Sequence, residues 1–286
     1  MKTVTKFAAW FNIVPFSIAI AYFTEAQPLD NGISSIETLA DEYLSAWIEK
    51  DALMGTYYSI EAARHDQLPD NSLSALNSWQ QKEDAWLIEL KGMEIPTEVG
   101  SRDWVTFGLL LEQLESSIAL RICRNELWQA STSTSWHTGL PFVFELQPIE
   151  SLEERNQALE RLSKVAGYID TEITNLRRGL ELGYSAPATT VKAVPSQVRS
   201  LISEKSIFLS PAHRSNDKNF AVSAENIYRA QIRPALERYA EFIEHHYLKE
   251  TRTTLPITEN NQGSNCYPKL IRSFVTLPIP ARAIHK

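Results

Sequence analysis

The chain has 286 residues, of which 43% are hydrophobic and 22% charged, and its formal net charge is −7 at neutral pH. That is enough apolar material for one large core or two smaller ones. No basic stripe with interleaved aromatic residues is present, so the composition argues against nucleic-acid binding. Only ten glycines accompany seven tryptophans and long apolar periodicities. These features favour helices over a sheet with many tight turns.

The first 26 residues have the pattern of a signal peptide. Lys2 and Lys6 precede the apolar run AAWFNIVPFSIAIAYF, and Ala26 is a small residue at a cleavage site. An uncleaved membrane anchor is the alternative, but the run is shorter than the roughly 20 residues that a spanning helix needs. We therefore expect an exported protein, periplasmic or secreted, with one helical domain over residues 27–286 and no membrane association after cleavage.

Apolar spacing predicts a series of helices in the first half of the mature chain. Ser34 and Glu37 form a capping box, and an amphipathic helix follows to about Asp51. A second helical piece and a polar turn over residues 68–71 come next. Two longer helices follow, one from Ser72 to Gly92 and one from about Ser101, with a buried stripe that extends to Ile122.

The second half contains the clearest helix of the chain. Residues 130–141 form a serine- and threonine-rich connection, and the short run FVFEL after it is expected to be extended. Ser151 and Glu154 make a second capping box that opens a helix ending at Gly183.

Two further helices are predicted after Gly183. One opens at Pro187, and the polar loop PAHRSNDKN leads to the other, from about Ser223 to Tyr247, which Pro234 must kink or divide. The sequence therefore predicts an all-α protein of roughly seven to nine helices with little or no β-structure.

Cys123 and Cys266 are the only cysteines in the chain. In an oxidising compartment the two thiols could pair as a disulfide. Two free, buried thiols are an equally open alternative, because nothing in the sequence brings their Cα atoms within disulfide range.

The paired histidines His245 and His246 form the only cluster that resembles a metal site. Glu241 and His245 would share a helix face, and Glu244 lies beside them. A zinc site needs at least three protein ligands, and the two-histidine zinc helix spaces its histidines four residues apart. No histidine has that spacing here, so a solvated helix end is the better interpretation. We predict no metal ligand and no catalytic residue.

Five residues are candidates for the lining of a pocket. Glu126 and Trp128 follow a long helix, and Trp136 and His137 lie just after them, so a carboxylate, an imidazole and two indoles cluster near one loop. Tyr267 is the fifth candidate. Tryptophans that anchor a helix end in the core explain most of these residues without a ligand. No G-x-S-x-G element and no glycine-rich phosphate loop is present.

Four segments form an ordered series along the chain. They are EAARHDQLPD (61–70), NLRRGLELGYSAPATTVKAVPSQVRSLISEKSIFLSP (175–211), PALERYAEFIEHHYLKETR (234–252) and GSNCYPKLIRSFVT (263–276). Together they resemble a family of mostly exported helical bacterial proteins, domain of unknown function 885. The second segment carries the family's N-L-x-x-G-x-x-x-G-x-x-x-P element. The first segment departs from the family's pattern, with Ala62 and Ala63 where glycine is usual.

The resemblance implies similarity to zinc metallopeptidases. It implies a helical enclosure around a catalytic segment that contains His-Glu and a later Gly-His, well after the Gly-x-x-x-Tyr element at Gly263 to Tyr267. Ile284-His285 matches the start of a linking helix, but no His-Glu pair occurs anywhere in the 286 residues. The resemblance therefore transfers no metal ligand to this chain, and zinc is expected only for full-length relatives.

Three explanations of the missing motif stay open: a truncated or frameshifted gene, one part of a split enzyme, or a short paralogue that keeps the scaffold. Truncation is the favoured one. We expect an exported N-terminal portion that is catalytically inactive alone, with a missing C-terminal half or a second copy as its partner. The alternative is a periplasmic helical binding or interaction module.

Overall fold

The computed structural model describes residues 35–60 and 64–285, and within those ranges it contains helices and turns but no strand. The predicted signal peptide and its cleavage site lie outside them. The helices, in chain order, are α1 (Ile36–Lys50), α2 (Met54–Tyr57), α3 (Leu73–Gly92), α4 (Arg102–Leu120), α5 (Trp136–Gly139), α6 (Val143–Leu146), α7 (Leu152–Glu181), α8 (Ala188–Val191), α9 (Val194–Ser200), α10 (Ser210–Arg214), α11 (Lys218–Ile227), α12 (Arg233–His245), α13 (Gly263–Val275) and α14 (Ala281–Ile284). The all-α prediction is confirmed.

Serine side chains begin four of the longer helices. Ser72 and Ser101 accept hydrogen bonds from the backbone N–H groups three residues ahead, at the starts of α3 and α4. Ser151 and Glu154 form the predicted capping box of α7. The predicted box at Ser34 is wrong, because Ser35 caps α1 instead, with its Oγ 3.1 Å from the backbone nitrogen of Thr38. Ser34 itself lies outside the described residues.

Two short segments that were predicted to be irregular are helical. The run FVFEL forms α6, where Val143 and Phe144 are both fully buried. Two consecutive buried residues are compatible with a helical turn packed on two sides, and periodicity does not distinguish that arrangement from a buried strand. The predicted loop PAHRSNDKN also begins in a helix, α10. Asp217 then caps α11, which begins at Lys218, five residues before the predicted start at Ser223.

Pro234 neither divides nor ends the long C-terminal helix. A π-helical turn, Tyr228–Ile232, joins α11 to α12, and Pro234 lies in the first turn of α12 just after it. The wider turn changes the hydrogen-bond ladder where proline lacks a donor. The segment from Lys218 to His245 is therefore one continuous helical path.

Two large hydrophobic clusters, and a third of three buried residues (Ile149, Ala158 and Phe220), hold the described residues together. The smaller of the two large clusters joins α1, α3 and α4 through eight buried residues (Leu39, Tyr43, Trp79, Trp86, Leu90, Phe107, Leu110 and Leu114). The largest cluster surrounds α7, α9 and α12, and its fully buried members include Phe144, Ile169, Phe208 and Leu236. No helix among the described residues has the length and apolar content to cross a membrane.

Arg161 is the central buried polar side chain of the region around α7. Its side chain is fully buried in α7, and its guanidinium donates to the carbonyl oxygens of Gln67 (2.8 Å) and Ala52 (3.3 Å). It also donates to Thr56 Oγ1 at 2.9 Å and to Gln147 Oε1 at 2.7 Å. Burial lowers the pKa of Arg161 to about 10, so the side chain stays charged at neutral pH. One residue thus fixes three separate segments onto α7.

Three residues of the N-L-x-x-G-x-x-x-G element determine how the C-terminal half of α7 packs and where the helix ends. Asn175 Nδ2 donates to the carbonyl oxygen of Asn71 at 2.7 Å. A Cβ on Gly179 would lie 1.8 Å from the carbonyl oxygen of Leu127, so only glycine permits this close approach. Gly183 has φ +77°, the left-handed conformation that a helix end requires, as predicted.

Replacing Arg161 with leucine is expected to destabilise the fold by on the order of 3 kcal/mol, because four acceptors lose their donor and two of them, on Thr56 and Gln147, are buried. Urea denaturation followed by circular dichroism measures the loss. The matched control is Arg178→Leu on the same helix, where an exposed pair with Glu181 is removed and a change of about 0.5 kcal/mol or less is expected. Equal effects of the two substitutions would contradict the role assigned to Arg161.

Candidate functional site

Cys123 and Cys266 are joined in a disulfide, with their Cα atoms 4.9 Å apart. The bond connects the 3-10 turn that follows α4 to the first turn of α13. Arg272, further along α13, binds Glu112 and Glu115 on α4 at 2.6 and 3.0 Å. The bond and the ion pairs hold α13 antiparallel against α4.

Three of the five predicted pocket residues lie beside the two cysteines in the chain and have other partners. Glu126 Oε1 is 2.6 Å from Arg124 Nε, and the indole N–H of Trp128 donates to the carbonyl oxygen of Cys123. The Tyr267 hydroxyl is hydrogen bonded to the His285 ring, which also stacks on it. Each of these side chains supports the local structure.

Trp136 and His137, the other two candidates, are buried in the one-turn helix α5. His137 Nε2 is 3.0 Å from Gln197 Oε1, and burial lowers the pKa of the imidazole. Trp136 contacts the rings of Tyr168 and Tyr239, with centroid distances of 6.4 and 5.2 Å. Through these ring contacts, Trp136 connects the predicted candidates with a second group of polar residues.

That group forms a tyrosine cluster, defined by Asp51, Tyr57, Trp136, Tyr168, Glu172 and Tyr239. Tyr168 and Glu172 share one face of α7, Tyr239 lies on α12, and Asp51 and Tyr57 come from the end of α1 and from α2. Asn71 Nδ2 donates to Glu172 Oε1 at 2.7 Å and to the carbonyl oxygen of Tyr168 at 3.1 Å.

Burial controls the ionisation of this group. Desolvation raises the pKa of Glu172, although hydrogen bonds from Asn71 and Tyr168 oppose the shift. The pKa of Asp51 is also raised by burial. Burial and the nearby Glu172 carboxylate raise the pKa values of Tyr168 and Tyr239, so both phenols stay neutral near pH 7.

The members of the group differ in exposure. Asp51, Tyr57, Tyr168 and Glu172 each keep part of their surface open to solvent, although desolvation is the largest cause of every one of their pKa shifts. Trp136 and Tyr239 are buried.

Behind the accessible residues lie two buried polar atoms, the indole Nε1 of Trp136 and the hydroxyl of Tyr239. The two groups lie beside each other, and the interaction with Trp136 lowers the pKa of Tyr239 against the larger, opposite effect of burial. Sequence reasoning found Trp136 but missed Tyr168, Glu172 and Tyr239. The only sequence pattern that could have indicated this group is the four-residue spacing of Tyr168 and Glu172, which places both side chains on one helix face.

The paired histidines line a different, open groove. Arg177, Phe242, His245 and His246 form part of its wall, and its volume is about 340 Å³. The Arg177 guanidinium lies 4.6 Å from the Phe242 ring centroid. His245 is exposed, and the neighbouring Glu244 is paired with Arg199.

These residues do not fit a zinc site. Across residues 35–60 and 64–285, no three histidine, cysteine, aspartate or glutamate side chains come together in a group that could hold a metal ion. A zinc ion bound by protein takes at least three such ligands. No catalytic step through zinc can therefore be assigned to the described residues.

Residues 52–286 match the model of a family described as "Bacterial protein of unknown function (DUF885)", so the chain belongs to that family. It is also similar to a crystal structure described as "the putative lipoprotein from Colwellia psychrerythraea", with a TM-score of 0.74 at 15% identity. The similarity covers 89% of this chain and 48% of that one, so the chain spans about half the length of the solved protein. No curated protein matches the chain.

Removal of the disulfide is expected to lower stability and to loosen α13 first, because the bond closes a separation of 143 residues. In the chain-entropy model a loop of this size contributes about 4 to 5 kcal/mol. The measurement is urea unfolding of a Cys123→Ala, Cys266→Ala double variant, with hydrogen exchange of α13. Thiol titration supplies the control: no free thiol before reduction and two after it. Two reactive thiols in the unreduced protein would contradict the pairing.

Proposed function

We propose that this chain is the non-catalytic helical side of an exported, zinc-peptidase-like protein, and that its 286 residues bind no catalytic zinc by themselves. The observation that carries the proposal is the family match over residues 52–286 in a chain without a His-Glu pair. The chain's span of about half of the solved relative supports it. The signal-peptide pattern and the lipoprotein description of that relative support export.

A helical binding module is the second candidate function, and the tyrosine cluster favours it. Carboxyl groups with perturbed pKa values, as Asp51 and Glu172 have, are candidates for functional sites. This function needs no metal. The two functions are compatible, since the scaffold side of an enzyme also contacts ligands.

One apolar surface supports the presence of a covering partner. Trp104, Val105 and Leu109 on α4 are exposed, as are Phe274, Val275 and Leu277 at the end of α13. Because α13 runs antiparallel to α4, these residues lie toward the same end of the helix pair, and we name them the α4/α13 face. We propose that polypeptide corresponding to the remaining half of the family fold covers this face. Exposed apolar patches of this kind commonly mark interfaces.

The first test measures metal and activity together. Protein of residues 27–286, purified without chelator, is expected to contain substoichiometric zinc by mass spectrometry and to leave a mixed peptide library uncut. A His245→Ala, His246→Ala variant is the matched control, and its zinc content is expected to equal that of the parent. Stoichiometric zinc with zinc-dependent peptide hydrolysis would overturn the proposal.

The second test concerns the α4/α13 face. Without a covering partner, the protein is expected to self-associate with rising concentration in sedimentation velocity, because association removes apolar surface from water at about 25 cal/mol per Å². Leu109→Lys, at a position 61% exposed, is expected to weaken that association. Val222→Lys adds the same charge at an exposed position on α11 and should leave association unchanged. A monomer at all concentrations would contradict the prediction.

A further inference from the structure

We propose that the open groove beside the paired histidines binds the carboxylate group of a small organic anion. This histidine groove has a volume of about 340 Å³, and two acidic residues line it together with Arg177, Leu180, Phe242, His245, His246 and Lys249. In this arrangement the Arg177 guanidinium binds the carboxylate, and Leu180 and Phe242 contact the apolar body of the ligand. The inference does not depend on the zinc-peptidase proposal, because every group it uses belongs to α7, α12 and the turn after α12.

The first argument is that the Arg177 guanidinium has no acceptor oxygen among the described residues. Every other arginine in the described ranges except Arg282 contacts a carboxylate, a side-chain amide or a backbone carbonyl oxygen. Arg177 instead lies over the Phe242 ring, 4.6 Å from its centroid. An arginine that faces a groove without an acceptor is therefore an exception in this structure.

The second argument is that the guanidinium is positioned before any ligand arrives. Phe242 is buried in α12, and its ring contacts the Arg177 guanidinium and stacks on the His246 ring at a centroid distance of 6.2 Å. The contact with a ring uses neither a carboxylate nor a carbonyl, so the planar donor fork that matches carboxylate geometry stays available. Restricting the guanidinium in advance lowers the entropic cost of binding.

The third argument is the charge of the groove wall. Of its two acids, Glu181 is already paired with Arg178 at 2.8 Å, so Glu250 is the only acid of the wall without an ion pair among the described residues. Arg177 and Lys249 are the corresponding cations without an ion pair. The excess is one positive charge, which suits a singly charged carboxylate better than a phosphate group with nearly two negative charges.

The helix ends oppose an anion only weakly. The last turns of α7 and α12 both line the groove, and a helix C-terminus carries partial negative charge. At α7, however, the backbone N–H groups of Leu182, Gly183 and Tyr184 donate to carbonyl oxygens of the last turn. At α12 the His246 N–H donates to the Phe242 carbonyl oxygen at 3.0 Å. The two imidazoles add ring N–H donors at the same end of α12.

The experiment uses residues 27–286 with ¹³C-labelled leucine methyl groups, in buffer of about 50 mM salt, because screening weakens exposed charge pairs. The methyl signals of Leu180, assigned from a Leu180→Met variant, are followed during titration with sodium benzoate. Benzamide, its neutral isostere, and inorganic phosphate are titrated separately. We expect a saturable shift with benzoate, and binding that is about tenfold weaker or more with benzamide and with phosphate.

Arg177→Gln removes the charge and the donor fork, so benzoate should bind at least about fivefold more weakly. Arg177→Lys keeps the charge without the fork, and an intermediate affinity is expected. Arg282→Gln is the matched control, because it makes the same change at the other arginine without an acceptor, outside the groove wall, and its affinity should equal that of the parent. Circular dichroism checks that the variants fold, and the comparison of benzoate with benzamide needs no variant.

Four results would overturn the proposal. They are equal affinities for benzoate and benzamide, tighter binding of phosphate than of benzoate, an undiminished affinity in folded Arg177→Gln, and no saturable shift of the Leu180 signals. An Arg177→Lys affinity equal to that of the parent would overturn the role of the donor fork. Each result leaves the zinc-peptidase proposal standing, since that proposal is tested by metal content and hydrolysis.

Discussion

The buried guanidinium of Arg161 is the constraint on which the packing around α7 depends. An arginine removed from water requires a full set of acceptors, and here all four lie outside α7, on Ala52, Thr56, Gln67 and Gln147. Those acceptors are neutral, so geometry rather than charge neutralisation satisfies the side chain. If any one segment moved away, a buried donor would lose its partner. The interaction therefore fixes the end of α1 and the helix α2 against α7.

The same helix face carries Tyr168 and Glu172 of the tyrosine cluster. Arg161, Tyr168, Glu172, Asn175 and Gly179 are spaced by seven, four, three and four residues, which places them along one stripe of α7. Arg161 positions Asp51 and Tyr57, and Asn175 holds the backbone at Asn71, whose side chain contacts Glu172. The family-like segment that begins at Asn175 thus holds neighbouring backbone against α7, at Asn71 through a hydrogen bond and at Leu127 through the close approach of Gly179. Gly179 and Gly183 serve backbone geometry, and no metal chemistry is needed to explain them.

Local signals in the sequence were sufficient for the long helices. Serine caps and the glycine at Gly183 act within a few residues of their partners, so the starts of α3 and α7 and the end of α7 are predictable from spacing alone. Contacts between residues that are 60 to 160 positions apart in the chain produce no comparable pattern in the sequence. The disulfide between Cys123 and Cys266, the acceptors of Arg161, and the meeting of Trp136 with Tyr239 all depend on tertiary packing. Sequence reasoning therefore identified Trp136. Its expected acidic neighbour, Glu126, is instead paired with Arg124.

The α4/α13 face and the tyrosine cluster have different physical requirements. The α4/α13 face exposes apolar surface, which contact with another apolar surface removes from water, so it concerns macromolecular partners. The tyrosine cluster removes the Glu172 carboxyl group from water, and Asn71 and Tyr168 supply its hydrogen bonds, so neighbouring side chains already satisfy that group. The face belongs to α4 and α13 and the cluster to α5, α7 and α12, so a partner that covers the face leaves the cluster unchanged.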